Sequence, residues 1–70
     1  MEYVIVSYPH NRNVLIEGEV NGVTNDTLMV DTGTHTFALE EEGYRPRTVT
    51  KVVEDTTSLS PLRITDFHPV

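Results

Sequence analysis

The chain has 70 residues, 37% of them apolar, no cysteine and a formal net charge of −6. This length supports one small domain that buries about 60% of its unfolded surface, with no disulfide or cysteine-rich metal site to staple it. The acidity excludes nucleic acid as a default partner, since phosphate binding is driven by clustered Lys and Arg, and no segment reaches the roughly 18–20 apolar residues of a membrane span.

The charge is unevenly spread. Residues 1–42 carry eight acids and Arg12 as their one base, whereas residues 43–70 carry four bases and three acids. Such asymmetry is compatible with head-to-tail contact between copies. The start Met1-Glu2-Tyr3 lacks the basic and apolar runs of a signal peptide. The location expected is therefore cytoplasmic if the chain is complete, and surface or envelope if it is an excised domain.

Thr, Val and Ile supply 23 residues and no segment shows a helical period, which points to strands throughout. Tyr3 to Ser7 is apolar on both faces, as expected of a strand well inside a sheet. Tyr8 to Asn13 is a turn, with Pro9 ending the ladder. A second strand, Val14 to Glu17, points Val14 and Ile16 one way. Gly18 then breaks the pattern, and Asn21-Gly22 predicts a tight hairpin turn flanked by Glu19-Val20 and Val23-Thr24.

After a bend at Asn25-Asp26, Leu28-Met29-Val30 and Thr34 to Leu39 read as the arms of a hairpin around Asp31-Thr32-Gly33, with Gly33 at positive φ. Leu28 and Val30 share a face with Phe37 and Leu39, and His35 falls on that side near the turn. Glu40-Glu41-Glu42-Gly43 is a solvated connection. Arg45 to Glu54 reads as one longer strand with Val49 and Val53 on one face. Asp55 to Ser58 is a turn. Leu59 to Thr65 forms the last strand, with Leu62 and Ile64 inward and Pro61 demoting its first half. The ordered core is expected over about 3–67, with 66–70 a loose tail. Six or seven short strands with regular turns indicate a β-sandwich or small barrel over residues 1–70.

Ser7-x-Pro9, Val14-x-Ile16-x-Gly18, Gly22-x-Thr24, Leu28-x-Val30, Gly33-x-His35 and Gly43-Tyr44 follow one another with spacings that resemble those of a PEGA domain, from about Tyr3 to Phe67. Two positions depart from the family. The Pro-x-Gly-Ala turn that names it is here Pro9-His10-Asn11-Arg12-Asn13, and the usual Thr-Pro is Thr24-Asn25. The resemblance implies an all-β fold: a small antiparallel sandwich of the transthyretin (prealbumin) type. It also implies an accessory module of surface or envelope proteins, without catalytic residues or cofactor. Gly18, Gly22, Gly33 and Gly43 are then structural turn positions, and Tyr44 covers the end of the sandwich.

Three candidate sites follow from the residues. Tyr44, Arg45, Arg47 and Lys51 form a binding patch for a carboxylate, a sugar or the acidic surface of a partner protein; the opposing interpretation pairs these cations with Glu40, Glu41 and Glu42. Leu28 to Gly33 carries the Asp-Thr-Gly triplet of retroviral-type aspartic proteases, in which two subunits each supply one carboxylate. Thr34 where that family has alanine or serine, the lack of a late glycine element and the short chain count against this. Asp31 is then expected to bond backbone amides in the turn. His10, His35 and His68 share no metal-ligand spacing. The reading that follows is a non-catalytic binding or scaffolding module that contacts protein or carbohydrate, with homo-oligomerisation through a sheet edge as a further expectation. The alternatives are a dimeric protease using Asp31 and an acidic decoy that binds a basic partner.

Overall fold

The computed structural model describes residues 1–70 and contains nine strands and no helix, so no helix is long and apolar enough to cross a membrane. The strands are β1 (Glu2–Val6), β2 (Asn13–Ile16), β3 (Glu19–Val23), β4 (Thr27–Val30), β5 (Gly33–Leu39), β6 (Tyr44–Arg45), β7 (Val49–Val53), β8 (Leu62–Ile64) and β9 (His68–Pro69). They form a three-stranded sheet in the order β4-β1-β8, a four-stranded sheet β3-β2-β5-β7 and a small ladder β6-β9. The expected all-β sandwich is present. One pairing is not antiparallel: β8 runs parallel to β1, with Val4 opposite Leu62 and Val6 opposite Ile64.

The period-2 alternation sets which side chains turn inward. Val4, Val6, Leu28, Val30 and Ile64 from one sheet meet Val14, Ile16, Phe37, Leu39, Val49 and Val53 from the other, and all are buried. Tyr8, Tyr44 and Phe67 complete the core. As its composition requires, β1 is the central strand of its sheet.

The expected hairpin between β4 and β5 does not exist. β4 pairs with β1, whereas β5 lies between β2 and β7. Asp31-Thr32 is instead a crossover from one sheet to the other. Leu28 and Val30 thus oppose Phe37 and Leu39 across the core rather than beside them. The reason is that β1, apolar on both faces, needs a partner on each edge, and β4 fills one of them.

The tight hairpin also lies four residues earlier than expected. Ile16 pairs with Glu19, so the loop is Glu17-Gly18, with φ of 50° and 81°. Two consecutive residues at positive φ make the turn that matches strand twist. Asn21-Gly22 lies inside β3, where the register shifts and two residues oppose the single Val14: a β-bulge.

The expected strand from Arg45 to Glu54 is interrupted. Pro46 has no amide to continue a ladder, so β6 stops at Arg45 and β7 starts at Val49. The last strand is shorter than expected, and Leu59 is 94% exposed. The tail expected to be loose is docked: Phe67 is buried and β9 pairs with β6.

Gly18 and Gly22 should respond differently to substitution. A Cβ at Gly18 meets no atom within 4 Å, but one at Gly22 would sit 2.2 Å from Leu28 Cδ2. Gly18→Ala is expected to cost about 1–2 kcal/mol for its φ alone. Gly22→Ala bears the same backbone penalty and also displaces a core leucine, so its loss in urea denaturation must be the larger.

Candidate functional site

The widest depression on the molecule is an open cleft of about 770 Å³ beside the β6-β9 ladder, walled by Glu42 to Arg47 on one side and His68 and Val70 on the other. Its floor is held by Tyr44. That ring is buried and packs edge-on against Phe67, with centroids 5.5 Å apart at 77°. The Tyr44 hydroxyl accepts from the Leu39 amide at 3.1 Å and shares its proton between the Leu39 and Arg47 carbonyls, each 3.0 Å away. Tyr44 therefore ties the end of β5 to the loop that bears Arg47. Tyr44→Phe should cost about 1–3 kcal/mol, because the Leu39 amide loses its acceptor in a buried setting. Urea denaturation measures this directly.

Of the residues named from sequence, Tyr44, Arg45 and Arg47 come together in this cleft. Lys51 does not. It shares the inward face of β7 with Val49 and Val53, and its Nζ lies 3.3 Å from Asp66 Oδ2. Of the acidic run that the opposing interpretation pairs with these cations, Glu42 lines the cleft and the other two turn elsewhere. Glu41 pairs with Arg12 at 3.1 Å and Glu40 accepts from the Asn13 amide group at 2.7 Å. No carboxylate lies within ion-pair reach of Arg45 or Arg47. His68, in the segment expected to be loose, was missed as a cleft residue. Its strand of two residues, His68–Pro69, carries no sequence signal of its own.

Asp31 is exposed on the β4–β5 crossover. Its carboxylate makes no hydrogen bond, contrary to the expected turn role; its carbonyl is the group engaged. His35 Nε2 lies 2.7 Å from that carbonyl and Nδ1 lies 2.6 Å from Glu17 Oε1. Both partners only accept. A neutral imidazole donates from one nitrogen, so both bonds together require the imidazolium. The Glu17 carboxylate, followed by the Asp31 carbonyl, holds the His35 pKa above its ordinary value. The His35 bond, followed by the Thr36 amide, lowers that of Glu17.

Glu2 anchors a second network, which nothing in the sequence signals. Its carboxylate accepts from the Thr32 hydroxyl at 2.6 Å, the Thr56 amide at 2.9 Å and the Thr56 hydroxyl. These bonds, that of Thr32 foremost, lower its pKa to about 2. No group of three or more metal-ligating side chains is present.

The pH dependence follows from these shifts. The depressed Glu2 and Glu17 stabilise the fold above the ordinary carboxylate range, and that contribution is lost as pH falls, for Glu2 toward about 2. The raised His35 stabilises it below the ordinary imidazole range, and that contribution is lost as pH rises through its folded value. Urea midpoints across pH should form a dome. Glu2→Gln flattens its acid arm and His35→Gln its neutral-to-alkaline arm; an unchanged alkaline arm in His35→Gln would refute the assignment.

Two sheets over one core, with polar clamps in the loops, define a small β-sandwich module. The family model described as PEGA domain matches residues 1–65, and the chain belongs to that family. Membership indicates a non-catalytic module. No curated protein and no solved structure matches the chain. The structure also explains one departure from the family pattern. Asn25, at φ 63°, stands where proline could not. Its side chain donates to the Tyr8 carbonyl at 2.8 Å and accepts the Tyr8 amide at 3.1 Å.

Proposed function

We propose that this domain is a binding or scaffolding module whose contact surface is the cleft between β6 and β9, and that it recognises carboxylates on a partner protein. One observation carries the reading. In a chain with eleven acids and five bases, Arg45 and Arg47 both line the widest cleft and neither has an acid in ion-pair range, while Arg12 and Lys51 are both paired. A guanidinium presents a planar fork of donors suited to bidentate carboxylate binding. A neutral sugar is less well served, because the Tyr44 ring turns inward onto Phe67 rather than out as a stacking surface.

The test is a titration of the 15N-labelled domain with hexaglutamate and, separately, with a neutral maltooligosaccharide. Hexaglutamate should shift the amides of Arg45, Arg47 and His68, weaken with added salt and lose its effect in Arg45→Gln/Arg47→Gln. Shifts with the neutral oligosaccharide alone would favour carbohydrate contact instead. If neither probe perturbs the cleft, the reading fails.

A further inference from the structure

The two ends of the sandwich differ in charge. Four strands about 4.8 Å apart and two layers about 10 Å apart account for the 20 and 17 Å extents, so the 32 Å axis runs along the strands. The register places the Glu17-Gly18 turn, the Asp31-Thr32 crossover, the start of β1 and the end of β7 at one end. Glu19, Asp31, Glu54 and Asp55 are exposed there without an ion-pair partner, beside Glu17, which His35 holds. The Met1 amino group and the His35 imidazolium offset part of this charge, but no lysine or arginine joins them: Arg12, Arg45 and Arg47 belong to the opposite end, Lys51 is held by Asp66 and Arg63 lies mid-strand opposite Ile5. At the opposite end Glu40, Glu41 and Glu42 offset the arginines, but only Glu42 lines the cleft.

Building on the reading of the Arg45/Arg47 cleft as the contact surface, we propose that its occupant is the acidic end of a second copy of this chain, docked head to tail. Charge complementarity carries this assignment. Beside Glu19 and Asp31 lies a second depression of about 290 Å³, which Met29, His35 and Glu17 help to line. Met29 is 57% exposed, so an arginine stem can cover apolar surface while its guanidinium reaches the carboxylates. Pairing through the edges of the four-stranded sheet is discouraged by the bulge in β3 and by the inward Lys51 of β7. The two contacting surfaces are different, so the contact is heterologous and propagates rather than closing on itself.

Its strength is limited by size. An end face of 20 by 17 Å offers on the order of 300 Å² per partner, against roughly 800 Å² in a stable complex. The contact expected between free copies is weak, with a dissociation constant on the order of 1 mM, and it matters chiefly where copies are held at millimolar effective concentration.

Sedimentation of the wild-type domain should show the weight-average mass rising about twofold by about 1 mM at low salt and staying monomeric at about 0.5 M salt. Arg45→Gln/Arg47→Gln and Glu19→Gln/Asp31→Asn each remove one surface, and each alone should stay monomeric. Mixed, they should form dimers that grow no further, because one complementary pair of ends survives. Urea midpoints matching the wild type show that both variants fold. A wild type that stays monomeric at about 1 mM overturns the proposal. Association lost only in the arginine variant overturns the acidic end as the occupant but leaves the cleft as the contact surface toward another part of a second copy. Association that survives in the arginine variant overturns self-docking, and the hexaglutamate titration then decides the cleft reading separately.

Discussion

A core of fourteen buried apolar residues is thin for two sheets, and the chain passes between those sheets four times, after β1, β3, β4 and β7. Each passage leaves backbone groups that no ladder satisfies, and such groups are costly when shielded from water. Side chains supply the missing partners. Buried Thr24 accepts the Arg12 amide at 3.0 Å and donates to the His10 carbonyl at 2.8 Å, which with Asn25 clamps the first passage. Glu2 holds the third passage through Thr32 and the fourth through Thr56. Remove these clamps and the sheets are linked by little more than a shallow apolar contact.

The same economy explains how an acidic chain tolerates its charge. Glu2 and Glu17 serve as hydrogen-bond acceptors for structure rather than as spare surface charge. Glu17 also shows how strain is offset. It occupies a left-handed conformation that disfavours residues other than glycine by about 1–2 kcal/mol. In return, its amide donates to the Thr36 carbonyl at 3.0 Å and its carboxylate takes the Thr36 amide and His35. The hairpin turn and the first half of β5 are thereby locked together.

The cleft depends on this framework at one point. Tyr44 is at once a core residue, through Phe67, and the anchor of the Arg47 loop, through its hydroxyl. Two of the three nearby glutamates, Glu41 and Glu40, are occupied by Arg12 and Asn13, and Glu42, which lines the cleft, lies outside ion-pair range of Arg45 and Arg47. The availability of the two arginines is thus in part a product of contacts made outside the cleft.

Alternation along each strand was enough to assign the inward faces, because a period of two is a local property. Val4 with Val6, Val14 with Ile16, Phe37 with Leu39 and Val49 with Val53 all lie where their spacing puts them. Strand class, the central place of β1 and the cluster of Tyr44, Arg45 and Arg47 were also legible. Partnership was not. Asp31-Thr32-Gly33 suits a hairpin turn and a crossover equally, and the choice rests on which strand β1 accepts at its edge. Nor could spacing place Lys51 away from the cleft or send the glutamates to Arg12 and Asn13, since both follow from contacts between segments distant in the chain. Local chemistry decides conformation and facing; only the assembled sheets decide which charges meet and which are left free.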